Sequence, residues 1–120
     1  MLVDTSVWVE HFHDGNRQLA KLLETGVVRT HPLIIGELAC GRFHDRRKVF
    51  ELLNRLPSVE TVEHAEALRF LEGNDLAGRG LGWIDVHLLA SARLSGAPVW
   101  TRDRDLAAAG RNLGLNVTYG

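Results

Sequence analysis

The chain opens on a strand that runs directly into an acid. Met1-Leu2-Val3 is wholly apolar, Asp4 stops it, and Val7, Trp8 and Phe12 then fall at helical spacing. A short apolar strand followed at once by a helix is the repeating step of a parallel α/β sheet, whose strands are buried on both faces. Few other architectures accommodate it. The same step recurs late in the chain, where Pro98-Val99-Trp100-Thr101 reads as a short strand and Arg102-Asp103-Arg104-Asp105-Leu106 leads into a helix through Ala109. Chemistry in such sheets gathers outside the C-terminal strand edge, so Asp4 and Asp103 are both expected there. Thr5 and Ser6 add hydroxyls able to cap the following helix or to hold the Asp4 carboxylate in one rotamer.

Between these two steps the chain alternates in the same way. Asp14-Gly15-Asn16 ends the first helix, and Leu19, Leu22 and Leu23 give a second helix its apolar stripe, with Arg17 and Lys21 facing away. Val27-Val28-Arg29 is a candidate second strand. His31-Pro32 opens a helix, proline being tolerated in the first turn, and Leu33, Ile34, Leu38 and Gly41 make its inward stripe. Glu37 falls on that stripe, which is unusual for an acid without a partner. Arg42 to Arg55 reads as an amphipathic helix whose outer side carries Arg42, Arg46, Arg47 and Lys48. Val59 to Val62 is a weak strand, and Ala65, Leu68, Leu71 and Leu76 mark the apolar side of a long helix. Gly73, Gly78, Gly80 and Gly82 predict a mobile connection, which lacks the lysine and hydroxyl residue of a phosphate loop. The helix from Trp83 is apolar nearly all round, as a central buried helix is, and Asp85 shares a stripe with Leu88, Leu89 and Ala92. Leu115 to Tyr119 predicts a last, edge strand.

With 120 residues the chain is expected to form one domain, 1–120, large enough for a core and too short for two. The formal net charge of −1 means that a nucleic-acid partner would have to be drawn by a local patch and not by the field of the whole molecule. The single Cys40 has no internal disulfide partner, and no basic-then-apolar leader precedes the first strand, so a reducing cytoplasm is the expected compartment. No apolar run approaches the ~20 residues that span a bilayer, so no membrane association is expected.

In a parallel sheet covered on both faces, Asp4 and Asp103 leave strand ends while Glu37 and Asp85 come from neighbouring helices, so the four can converge. Converging acids without a matched buried Lys or Arg repel one another and call for a cation. All-oxygen ligation favours Mg²⁺ or Mn²⁺. Zinc is disfavoured, because Cys40 and the six scattered histidines make no ligand-spaced pair. Carboxylate-held Mg²⁺ usually serves phosphate chemistry, which points to a phosphodiesterase. An aspartyl-nucleophile phosphatase would need a second acid two residues after Asp4, where Ser6 stands.

Leu2-Val3-Asp4-Thr5-Ser6, Ile35-Gly36-Glu37-Leu38, Trp83-Ile84-Asp85-Val86 with Leu88-Leu89-Ala90, and Trp100-Thr101-Arg102-Asp103-Arg104-Asp105-Leu106, in this order, resemble the PIN-domain ribonucleases, and among them the VapC-type toxins of type II toxin–antitoxin pairs. The resemblance spans the whole chain. It implies a PIN-like three-layer α/β/α sandwich with a central, mostly parallel sheet of four to five strands. It implies Asp4, Glu37, Asp85 and Asp103 as catalytic, metal-binding acids, with Ser6 and Thr101 as supporting hydroxyls and Asp105 as a further supporting residue. It also implies a Mg²⁺-dependent endoribonuclease acting on a tRNA or other structured RNA at a single-stranded loop, a cognate VapB-type antitoxin, and a homodimer paired through the early and middle helices. Arg17, Lys21, Arg42, Arg46, Arg102 and Arg104 are candidate RNA or antitoxin contacts. His31 stands where many relatives carry a small hydroxyl residue. The alternative is a non-catalytic RNA- or protein-binding module on the same fold, for which an incomplete acid set would be the mark; here the set is complete.

Overall fold

Leu2 and Val3 are fully buried, and the reason is that they lie inside a parallel ladder. In the computed structural model, which describes residues 1–120, strand β1 (Leu2–Val3) pairs with β2 (Val99–Thr101), and β2 pairs with β3 (Val117–Tyr119), in the order β1-β2-β3. The register sets Leu2 beside Val99 and Val3 beside Trp100. Seven helices complete the chain: α1 (Thr5–Asp14), α2 (Arg17–Glu24), α3 (Pro32–Ala39), α4 (Arg46–Arg55), α5 (His64–Gly73), α6 (Trp83–Ser95) and α7 (Arg104–Asn112). Both α1 and α7 pack on β2, so the elements that follow β1 and β2 meet across the same strand.

The sheet has three strands, not four to five. Val27 to Arg29 and Val59 to Val62 do not form strands, although the chain passes beside β1 at the first place and beside Thr30 at the second. Arg29 bridges Leu2, Thr30 bridges Ser58, and Val59 N–H donates to the Thr30 carbonyl at 2.9 Å. The ladder stops there because His31 already caps α3 and Pro32 has no N–H to continue it, while Glu60 and Thr61 are exposed.

Two apolar clusters hold the helices. The larger joins Leu2, Val3, Val99 and Trp100 to Val7 and Trp8 of α1, Ile34 and Leu38 of α3, and Leu88 and Ala92 of α6. The smaller gathers Leu76, Leu89, Leu106 and Ala109. Helix α6 serves both, and every residue from Val86 to Ala92 is buried, as its all-round apolarity predicts.

Three helices differ from the periodicity. Helix α4 starts at Arg46 instead of Arg42, because Asp45 adopts φ 53°, a left-handed conformation that the regular helix cannot include. Helix α5 buries Ala67 while Leu68 is 44% exposed and Ala65 is exposed; Leu76 is buried from the turn beyond the helix. In α3 the buried residues are Ile34 and Leu38, one turn apart, with Leu33 half-buried. Glu37 is exposed beside them instead of lying on the buried face, and Gly41 has left the helix.

Candidate active site

Asp4 is held where the sheet delivers it. Its N–H donates to the Trp100 carbonyl at 2.9 Å, so the ladder between β1 and β2 continues up to the acid, and the residue is only 6% exposed. Its Oδ2 accepts from the Ser6 hydroxyl and from the Thr101 hydroxyl, both at 2.8 Å. Each hydroxyl also accepts a backbone N–H from the connection between β2 and α7: Arg102 N–H donates to Ser6 Oγ at 3.0 Å and Asp103 N–H to Thr101 Oγ1 at 2.9 Å. Two hydroxyls therefore tie one carboxylate to the start of the next acidic segment. Ser6 and Thr101 thus both lie against the Asp4 carboxylate.

The other acids come from three helices. Glu37 Oε1 accepts from Thr5 Oγ1 at 2.7 Å, which brings α3 to the first turn of α1. Asp85, in the first turn of α6, reaches back so that its Oδ2 accepts the Gly82 N–H at 2.9 Å. Asp103 is the N-cap of α7, its Oδ1 accepting from the N–H groups of Asp105 at 2.9 Å and Leu106 at 3.1 Å. Thr5, expected from the sequence to cap the helix or hold Asp4, instead gives its hydroxyl to Glu37, a partner 32 residues away that local patterning does not reveal.

Electrostatics link the four. Burial raises the Asp85 pKa above its ordinary value; the Gly82 N–H opposes this, and the charges of Asp4, Asp103 and Glu37 each push it further up. None of the four acids is ion-paired: the pairs present are Arg47 with Glu51, Arg79 with Asp75, and Arg102 with Glu10. Each acid also uses a single carboxylate oxygen in its hydrogen bonds, leaving Asp4 Oδ1, Glu37 Oε2, Asp85 Oδ1 and Asp103 Oδ2 without a protein donor. As the side chains stand, no three acidic, histidine or cysteine groups close around a common point tightly enough to hold a metal ion. The donor chemistry nevertheless fits a hard cation: oxygens only, unpaired negative charge, and a free oxygen on every member.

The remaining expected residues divide. Asp105 is exposed and turns to the glycine-rich connection, where a Cβ on Gly80 (φ 77°) would meet its Oδ2 at 2.5 Å. Arg17, Lys21, Arg42 and Arg104 are exposed and form no ion pair. Arg102 is paired with Glu10 of α1. Arg46 is committed elsewhere: it donates to the Gly41 carbonyl at 2.9 Å and the Ala39 carbonyl at 2.7 Å, closing the end of α3, and its guanidinium lies 4.8 Å from the Phe50 ring centre. His31 is the N-cap of α3, its Nδ1 accepting the Leu33 N–H at 3.0 Å. Burial, with a smaller contribution from His87, pushes its pKa down to about 4, which keeps that nitrogen an acceptor.

Residues 1–112 match the family model of the PIN domain. The chain belongs to the PIN-domain family. Within it, the chain is 46% identical over 110 residues to Ribonuclease VapC32 of Mycobacterium tuberculosis, covering 91% of this chain and 89% of that protein. Solved PIN-like folds superpose over nearly the whole length. FitAcB from Neisseria gonorrhoeae gives a TM-score of 0.65 at 18% identity, over 99% of this chain and 96% of that one. A FitAB complex bound to an IR36 DNA fragment gives 0.66 at 17% identity, over 98% and 93%. PAE2754 from Pyrobaculum aerophilum gives 0.61 at 22% identity, over 97% and 81%. At these identities the superpositions speak to fold alone.

Proposed function

We propose that this PIN-domain chain is a Mg²⁺-dependent endoribonuclease toxin, with Mn²⁺ as a substitute ion, that cuts a tRNA or other structured RNA at a single-stranded loop. Asp85 carries the reading. Its ionisation is opposed by burial and then by three acids from three other elements, with no basic side chain paired to any of them. The name of the relative from Mycobacterium tuberculosis supports RNA as the substrate.

In this reading Asp4, Glu37, Asp85 and Asp103 hold the ion. Bound there, it supplies a Lewis acid for the phosphoryl oxygens and a means of lowering the pKa of water. Asp4 contributes a fixed ligand, because Ser6 and Thr101 lock one oxygen and leave the other free. Glu37 contributes an adaptable one, being exposed and tied only by Thr5. The exposed Arg17, Lys21, Arg42 and Arg104 meet backbone phosphates. Loops are favoured because unstacked bases can be splayed out and the phosphate presented to the acids. A cognate VapB-type antitoxin neutralises the enzyme, the toxin pairs as a homodimer through its early and middle helices, and the exposed, unpaired Cys40 suits a reducing cytoplasm.

The test is cleavage of structured RNA by the purified protein with Mg²⁺, with EDTA, and with Asp4→Asn. Cleavage should need the ion and be lost in the variant. Equal cleavage by Asp4→Asn, or cleavage that persists in EDTA, would refute the assignment.

A further inference from the structure

At the far end of α1 from the acids lies a cavity of about 250 Å³ lined by Phe12, His13, Arg42, Phe43 and His44. We infer that it is a subsite for one unstacked nucleobase of a single-stranded RNA whose phosphate lies at the acids. The inference rests on the ribonuclease reading and adds a position along the strand.

The cavity has a built floor. The Phe12 ring stacks on the buried Trp8 at 5.4 Å between centres and 19° between planes, and the edge of Phe43 meets Phe12 at 5.4 Å and 69°. His13 stands against Phe43 at 5.6 Å and 85°. Phe43 folds over Gly41, where a Cβ would come within 3.2 Å of its ring, so the ring position depends on glycine there. Around this aromatic floor, His13, Arg42 and His44 are exposed, and no acid lines the cavity. Flat rings and a guanidinium plane take a base by stacking, irrespective of its identity. The volume falls below the roughly 300–1,000 Å³ of ordinary ligand pockets, which suits one flat ring system and excludes a packed helix. Its placement also fits: at 1.5 Å rise per residue, His13 lies roughly 12 Å along α1 from Thr5, so a strand crossing the acids reaches it within a few nucleotides.

The experiment measures binding in EDTA, so that no chemistry is required, using a fluorescein-labelled oligoadenylate of about ten nucleotides, within the span of known single-strand grooves. An abasic residue is then moved along the oligonucleotide one position at a time. Phe43→Leu keeps apolar volume without a stacking face, Phe43→Trp restores the face, and Arg42→Ala removes an exposed guanidinium without touching the core. Phe43→Leu should weaken binding roughly 5- to 150-fold, the equivalent of about 1–3 kcal/mol per stacked base, with unchanged thermal unfolding. Phe43→Trp should recover most of the loss. At one abasic position the same loss should appear, and Phe43→Leu should add nothing to it. Equal affinity of Phe43→Leu and parent, additive losses at every abasic position, or no binding by the parent would each overturn the subsite. So would an RNA affinity that is unaffected while a co-expressed protein partner is lost, since the cavity would then dock protein. Cleavage by a parent whose binding ignores Phe43 would leave the ribonuclease reading standing alone. Phe43-dependent binding by a parent that cuts nothing would leave the subsite standing alone.

Discussion

Asp103 does two things at once, and substitution separates them. Its Oδ1 caps α7 by accepting from Asp105 and Leu106, and its charge is among those that raise the Asp85 pKa. Asp103→Ala removes the acceptor and the charge together; Asp103→Asn removes only the charge. Losing the cap costs about 0.5–2 kcal/mol, typically ~1, which in a chain of 120 residues lowers Tm by about 4 °C. Relief of repulsion alone would make Asp103→Asn more stable than the parent. A negative charge at a helix N-terminus is itself worth about 0.3–1 kcal/mol, so the two changes oppose each other and Asp103→Asn should lie within about 0.5 kcal/mol of the parent. With Mg²⁺ present the order changes, because the intact acid set gains a binding term that reaches about 2.7 kcal/mol at one hundred times Kd. Both variants should lose that gain and lose cleavage. Thermal or urea unfolding in EDTA and in Mg²⁺ reads the first effects, and an RNA cleavage assay the last. If Asp103→Ala proved as stable as Asp103→Asn in EDTA, the cap would carry no weight. If either variant cut RNA like the parent, Asp103 would have no place in the site.

Asp85→Asn should remove a pH dependence. Because the folded Asp85 carboxyl holds its proton to higher pH than the unfolded chain does, metal-free stability of the parent should fall as pH rises from just below the ordinary value of 3.8 to above the raised one. Urea unfolding in EDTA across that range should show the decline in the parent and a shallower one in Asp85→Asn; identical slopes would refute it. Thr101→Val leaves the buried Asp4 Oδ2 and the part-buried Asp103 N–H each short of a partner and should cost about 1–3 kcal/mol, with Thr101→Ser restoring most of it in a urea midpoint comparison. Arg46→Ala should lower Tm through the open end of α3 while leaving the salt dependence of RNA binding unchanged, whereas Arg104→Ala should flatten that dependence.

The helices that carry the acids were legible because their signals are local. An apolar run stopped by Asp4, a helix apolar nearly all round from Trp83, and a short strand before Asp103 each need only neighbours to define them. What periodicity does not resolve is which of two adjacent stripes turns inward. In α3 it assigned Glu37 to the buried face one position from Leu38, and in α5 it favoured Leu68 over Ala67, because alanine carries little hydrophobic signal. The lost strands have a similar cause. Val27 to Arg29 has the composition of a strand, yet its length is set by the His31 cap and Pro32 that follow. Arg46 looked like part of a basic outer face, and it became a helix cap only because Asp45 turns the chain through a left-handed conformation.

The two hydroxyl bridges onto Asp4 span most of the chain: Thr101 lies 97 residues away, and the Ser6 hydroxyl meets a backbone group 96 residues on. During translation at about 5–20 residues per second, Asp4 therefore waits roughly 5–20 s for its partners to be made. β1 cannot pair with β2 before then, and the contact is of the non-local kind that forms slowly. A ribosome-bound chain lacking residues 99–103 has neither the sheet neighbour nor the fixed carboxylate. On the proposed ribonuclease reading, the nascent chain therefore lacks the assembled acid site until the strand that precedes Asp103 has been made.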